Sequence, residues 1–279
     1  MTLRTRRQRC YVEPGQPYDE AGFGALEVPL ELAPAHTAMI TVDLWNMGWS
    51  EQPLALELGL DAEYSFLGVG RRTAAEAQRR TTENLAPALA AARAAGLTII
   101  HSNHAAVVEK HPECLFRVDD PPPGSSPDWP PAEVGEQAMD DYLRLTFGEA
   151  GPAWWQRLLP LVDFPEPVRP VPGDFCVCQQ AAVDHLLREL RITTIIYAGF
   201  LLSHCLLDNV GGLRSLGFLW RRPGYRVVVL RDCTIAQEYA DTIDGFRATE
   251  VFITWLEASG MPTTTAGDFI SACTAEEHP

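Results

Sequence analysis

Four short runs of apolar and β-branched residues punctuate this chain: TAMITVD (37–43), LTIIHS (97–102), TTIIYAGF (193–200) and YRVVVLRD (225–232). Each is continuously apolar instead of alternating, which marks a strand covered on both faces. Segments of helical period lie between them. AAVDHLLREL (181–190), for example, places Val183, Leu186, Leu187 and Leu190 on one face. Buried strands alternating with amphipathic helices specify an α/β fold, a mainly parallel sheet with helices on both sides. Crossovers are expected to be right-handed, and ligands to sit at the carboxyl ends of the strands.

The other segments are read with less help from periodicity. AQRRTTENLAPALAAARAAG is expected to be a helix with Thr82 or Asn84 as N-cap, Pro87 in its first turn and Gly96 as its stop. CLLDNVGGLRSLG is expected to be a helix starting at or near Cys205. Gly211 and Gly212 would each cost it about 1 kcal/mol, so close backbone packing is expected there. DTIDGFRATEVFITWLEASG reads as a last helix and TTTAGDFI as a final short segment. Residues 105–135 are loop-like, most of all DDPPPGSSPDWPP. Residues 1–36 are polar and proline-spotted and read as an N-terminal arm packed on a domain spanning 37–279.

Charge and cysteine content narrow the function classes. The net charge of −15 repels phosphate backbones and anionic membranes, which argues against nucleic acid or a membrane as partner. No apolar run approaches the roughly 18 residues that span a bilayer. The basic N-terminus MTLRTRRQRC lacks an apolar core segment, so a cytoplasmic location is expected. Seven irregularly spaced cysteines are then expected to be reduced thiols. Cys176 and Cys178 in FCVCQQ have no second pair to complete a zinc site, and core packing is the favoured reading.

Chemistry-bearing residues collect at the strand ends. Asp43 ends the first strand, before LWNMGW; His101, Asn103 and His104 follow the second; Ser203, His204 and Cys205 follow the third; Asp232 ends the fourth. A thiol at a helix N-terminus lies near positive partial charge and free N–H groups, which favour thiolate and can hold an oxyanion. Asp43, on a neighbouring strand end, could take the thiol proton and return it to a leaving amine. The competing reading is a buried structural cysteine with Asp43 as a turn cap.

TAMITVDLWN, AGLTIIHSNH, ITTIIYAGFLLSHC and GYRVVVLRDCT together resemble the isochorismatase-like cysteine hydrolases over about residues 37–271. The most specific matches are the aspartate after the first strand and the glycine six residues before the cysteine. The resemblance implies a six-stranded, mainly parallel sheet in an αβα sandwich, a homodimer or homotetramer, and an Asp–Lys–Cys triad with Asp43 and Cys205 as first and third members. It also implies a cis peptide between Phe200 and Leu201, with the Leu201 and Cys205 N–H groups forming the oxyanion hole.

Two departures stand out. The family lysine falls near Pro172, yet the single lysine of the chain is Lys110. Lys110 swings in from the long loop, or His101, His104 or His204 takes its role, or the triad is broken; of these, His101 is the expected catalytic partner. The second departure is Trp45 where many members carry glutamine, which places the chain nearer a subgroup with D-x-W and no recognisable lysine. The Asp–His–His metal set of the nicotinamidase branch has no match after the first strand, and His101 and His104 lack a third ligand, so neither metal nor other cofactor is expected. The implied activity is cysteine-dependent hydrolysis of a small amide, ureido or related C–N bond. The alternatives are altered chemistry on the same scaffold (vinyl-ether cleavage, acyl transfer or cyclisation) and an inactive binding homologue. Trp45, Asn46, Trp49, Trp129, His104, Lys110, Phe200 and His204 are the candidate substrate contacts, and the tryptophans suit an aromatic or apolar substrate.

Overall fold

In the computed structural model, residues 1–52, 69–119, 132–148, 156–217 and 224–275 are described. Among the described residues eight strands form one sheet: β1 (Thr2–Arg9), β2 (Gly24–Glu31), β3 (Thr37–Val42), β4 (Thr98–Ser102), β5 (Phe175–Val177), β6 (Thr194–Gly199), β7 (Arg226–Leu230) and β8 (Thr263–Thr264). Their order is β2-β1-β8-β7-β6-β3-β4-β5. The six strands β3–β8 are mutually parallel, as expected. The eight-stranded total corrects the six-stranded expectation. Residues 2–31, read as an arm, form an antiparallel hairpin whose β1 pairs with β8. Its strands carry charged residues and face solvent over much of their length, so they lack the apolar run that betrays a central strand.

From β3 the chain steps outward through β4 to β5; from β6 it steps the other way through β7 to β8. Strand order therefore reverses between β3 and β6, the place where open α/β sheets form a crevice beyond their carboxyl ends. Successive residues of β3 feed opposite cores. Met39 packs with Leu89 and Phe269 on one face; Ile40 packs with Leu186 and Leu256 on the other. α1 (Arg71–Arg80) leads into α2 (Ala86–Ala94), which with α9 (Ala266–Thr274) covers the first face, while α5 (Gln180–Glu189) and α8 (Arg247–Ala258) cover the second. Short helices α3 (Ala105–Val108), α6 (Cys205–Asp208) and α7 (Leu213–Leu216) follow β4 and β6, and α4 (Ala132–Phe147) lies between β4 and β5. Among the described residues no helix is long and apolar enough to cross a membrane.

Several helix boundaries differ from expectation. α1 starts after Gly70, and Thr82 and Asn84 are not caps but lie inside a π turn, Thr81–Leu85, that joins α1 to α2. Pro87 supplies no N–H, and its ring would crowd the carbonyl four residues back. The wider turn, with the Ala86 N–H donating to the Thr81 carbonyl, accommodates it without ending the helix. α8 begins only at Arg247, because Gly245 and Phe246 have positive φ.

The β3–β6 junction depends on Gly199. Its φ of +125° is open to glycine alone, and a Cβ there would sit 2.1 Å from the Val42 carbonyl oxygen. The Phe200 N–H donates to that same oxygen at 3.0 Å. Gly199→Ala should therefore destabilise the fold by about 3 kcal/mol or more, lowering Tm by roughly 6 °C or more for a domain of this size. Calorimetry on the two proteins checks this; an unchanged Tm would show that the junction tolerates separation.

Candidate active site

Asp43 leaves β3 with φ of 44°, a left-handed conformation that aspartate tolerates better than most residues. Its N–H donates to the Ser102 carbonyl at 3.0 Å, and its side chain is buried. Across the switch point, β6 ends in the cis peptide Phe200–Leu201, and the chain then enters α6 at Cys205. The half-buried Cys205 thiol donates to the Asp43 carboxylate and accepts from the backbone N–H groups of Leu201 and Cys205. A second donor reaches Asp43: the Asn209 side-chain amide bonds its Oδ2.

This arrangement reverses one electrostatic expectation. Burial, then the neighbouring Asp43 charge and the hydrogen bond to it, push the Cys205 thiol well above the ordinary range, against the pull of the two N–H groups. A helix of one turn offers too little dipole to win. The resting pair is thus a thiol bonded to a carboxylate. Burial raises the Asp43 carboxyl to about 6, despite the bonds from Cys205 and Asn209.

Two cavities meet at this pair. One, of about 180 Å³, is walled by Trp45, Trp49, Ala77, Tyr142, Phe147 and Phe200. The other has a mixed wall, lined by Ser102, Asn103, His104, Cys178, Asn209 and Val210. Asp43, Trp45 and Cys205 border both. The Trp45 indole N–H is anchored on Asn103 Oδ1 at 2.7 Å, which fixes the ring as a wall shared by both. His204 lines the apolar cavity, with Nδ1 2.8 Å from Ser203 Oγ. His104 caps α3, its Nδ1 accepting from the Ala106 N–H at 3.2 Å.

Other predicted site residues are placed elsewhere. His101, expected as a catalytic partner, is fully buried, with Nδ1 2.8 Å from Thr41 Oγ1 and Nε2 3.0 Å from Asp174 Oδ2. Burial pushes its pKa down, leaving a neutral ring, while Arg93 balances Asp174 at 2.6 Å. Being one residue before the strand end, His101 packs on Phe164 in the first core, whereas Ser102 faces the site. Asn46 is also buried and holds the 161–163 segment, accepting from the Asp163 N–H at 3.1 Å and donating to the Leu161 carbonyl at 3.4 Å. The Lys110 ammonium donates to the Pro160 and Val162 carbonyls at 2.8 and 2.5 Å and lines neither cavity. Asp232 binds the Ala266 N–H at the start of α9. Trp129 lies outside the described residues. Among the described residues no three of His, Cys, Asp and Glu cluster as metal ligands would.

Asn209 and Cys178 are site residues that sequence reasoning missed. Helical spacing could have found the first, since positions i and i+4 stack on one face and Asn209 follows Cys205 by four. Core packing is the expectation for both Cys176 and Cys178, but β5 ends between them, so Cys176 is core and Cys178 reaches the second cavity.

A carboxyl raised by burial stabilises the fold only while protonated. From the ordinary carboxyl value of 3.8 up to about 6, the unfolded chain releases this proton and the native one retains it, so native stability falls with rising pH. Asp43→Asn should remove that penalty. It should raise stability by on the order of 2 kcal/mol above pH 6, with a gap that shrinks toward pH 4, while abolishing activity. Denaturant melts across this range check it; a variant less stable at every pH would make Asp43 a structural cap.

A model of the isochorismatase domain matches residues 60–255. No curated protein matches the chain. Among solved structures, a cysteine hydrolase from Pseudomonas syringae pv. phaseolicola 1448A is 19% identical, with a TM-score of 0.48, covering 87% of this chain and 94% of that one. An isochorismatase family protein from Desulfovibrio vulgaris subsp. vulgaris str. Hildenborough is 18% identical, with a TM-score of 0.45, covering 86% and 99%. An isochorismatase-like hydrolase from Alkaliphilus metalliredigens is 15% identical, with a TM-score of 0.43, covering 86% and 98%. The domain match takes in 196 of the 279 residues, from 60 through 255, and by it the chain belongs to the isochorismatase domain family.

Proposed function

We propose that this protein is a cysteine hydrolase of a small-molecule amide or ureido C–N bond, with Cys205 as nucleophile and Asp43 as its acid–base partner. The observation that carries this reading is the thiol itself, which donates to Asp43 and faces two backbone N–H groups. In the proposed reaction the thiol proton passes to Asp43 as sulfur attacks the carbonyl carbon. The Leu201 and Cys205 N–H groups then turn from the thiol to the developing oxyanion. Collapse expels the amine, which takes the proton from Asp43 and leaves a thioester. Water attacks the thioester, giving its proton to Asp43; the acid leaves and sulfur regains the proton. A carboxyl near pH 6 suits a group that must both accept and return a proton.

The apolar cavity supports an aryl or compact alkyl group on the substrate. Its roughly 180 Å³ is close to the size of a cavity that takes one benzene ring. The second cavity, where Ser102, Asn103 and His104 offer polar groups, would then face the scissile group. Among the described residues no Lys or Arg lines either cavity, and a neutral substrate fits that lining better than a multiply charged anion.

The test is a panel of arylacyl, alkylacyl and ureido amides offered to the wild type and to Cys205→Ser. Hydrolysis should fall to background in the variant, and quenched wild-type reactions should carry the acyl mass on the Cys205 peptide. Undiminished turnover by Cys205→Ser would end the nucleophile assignment. Ala77→Phe, which fills the apolar cavity, should raise KM for aryl substrates by about tenfold, the worth of roughly 1.4 kcal/mol, and change it little for acetamide-sized ones. Equal effects on both would place the substrate elsewhere.

A further inference from the structure

We propose that Asn209 is the positioning residue for Asp43, a neutral amide donor that holds the carboxylate toward Cys205 where the family pattern has a lysine. This rests on the reading of Asp43 and Cys205 as an acid–base and nucleophile pair.

The backbone around Asn209 is fixed on both sides. Its N–H donates to the Cys205 carbonyl at 3.0 Å, the last helical bond of α6, and its carbonyl accepts from the Gly212 N–H at 2.7 Å. The chain turns out of the helix there, with ψ of 177° at Asn209 and φ of +65° at Gly211. Gly212 permits the turn, since a Cβ on it would lie 2.7 Å from the Asn209 carbonyl oxygen and 2.8 Å from that of Leu207. CLLDNVGGLRSLG is therefore two short helices, α6 and α7, instead of the one expected, and the glycine pair is where they part. The loop is pinned from the sheet as well, by Ser102 Oγ donating to the Val210 carbonyl at 2.6 Å. The side-chain amide, one helical turn from the thiol, thus arrives at Asp43 Oδ2 from a rigid frame.

Among the described residues, none lining the two cavities supplies a fixed positive charge; besides Asp43, their titratable groups are Cys205, Cys178, His104, His204 and Tyr142. Of the described side chains, Cys205 and Asn209 hydrogen-bond the Asp43 carboxyl. A neutral donor stabilises the ionised carboxyl less than an ammonium would, so Asp43 keeps a proton affinity close to that of a group working near neutral pH.

The test needs no substrate. The rate of iodoacetamide labelling of Cys205, followed by peptide mass spectrometry, should rise with pH through a limb near 6 set by the coupled Asp43–Cys205 pair. Asn209→Leu removes a donor to the charged form, so the limb should move up by about one pH unit, a tenfold slower labelling below it. Asn209→Lys restores a cation, and the limb should move down. Should the leucine variant not fold, Asn209→Ala removes the same donor with less bulk. A wild-type limb that neither the donor-removing variant nor Asn209→Lys shifts overturns the Asn209 assignment alone. No limb in the wild type, with Asp43→Asn identical to it, overturns the underlying pairing of Asp43 with Cys205.

Discussion

The contact between Gly199 and Val42 is the constraint on which the site depends. β3 and β6 run side by side from Thr37–Thr194 to Val42–Gly199, and strand order reverses between them. A sheet leaves a crevice at such a point, but a crevice is not a site. What makes it one is the close approach at its rim. Without a Cβ on Gly199, the turn after β6 can lie against the Val42 carbonyl, and the Phe200 N–H can bond to it. The very next residue after Val42 is Asp43, and the turn delivers Leu201 and Cys205 over it. One glycine therefore sets the spacing between the Asp43 carboxyl, the Cys205 thiol and the N–H groups, and sub-ångström changes there would be felt directly in the proposed chemistry.

That geometry is held against an electrostatic cost. An aspartate so buried prefers to be neutral, and burial outweighs both hydrogen bonds it receives. The thiol beside it is likewise pushed toward its protonated form. The thiol alone is not poised for chemistry. The proximity of the two groups makes the proton transferable, since the carboxylate that raises the thiol is also its acceptor. Buried ionisable groups without a counter-charge destabilise a fold, and they persist where function retains them. The contrast with Asp174 is instructive: burial would raise it too, yet bonds from His101 and Arg93 hold it at about 2. Asp174 is a structural carboxylate with a full counter-charge; Asp43 is not.

The sheet was legible because its central strands are buried on both faces, and only continuous apolar runs satisfy that. The edge hairpin was not, because β1 and β2 face solvent and their arginines and glutamates carry no such signature. Asp43 and Cys205 were legible as residues just past strand ends. His101 was misread by a single position: side chains alternate along a strand, and the penultimate residue of β4 turns into the core while Ser102 turns to the site. Lys110 drew attention as the one lysine in the chain, but rarity in a sequence carries no spatial information; its ammonium satisfies two loop carbonyls. Asn209 was overlooked because an asparagine within an apparent helix looks like a surface residue. The break that gives it a role lies in the following glycines, whose conformations are set by tertiary contact.

The two cavities differ in more than shape, and the difference bears on the proposed thioester route. Such a route needs water to be absent while the amine leaves and present when the thioester is cleaved. Aromatic walls on one side of Cys205 would cover an acyl group and strengthen the N–H contacts to an oxyanion by lowering the local dielectric. On the other side Ser102, Asn103, His104 and Asn209 set polar groups into a mixed wall, at which a water can be held by hydrogen bonds. Trp45 borders both cavities and is tied to Asn103, so the two share one rigid wall. Asp43 and Cys205 both border this second cavity, so a deacylating water held there would lie against the carboxyl as well as the sulfur. In the proposed route the carboxyl that accepts the thiol proton would then also activate the water, and a single acid–base group would serve both halves of the reaction.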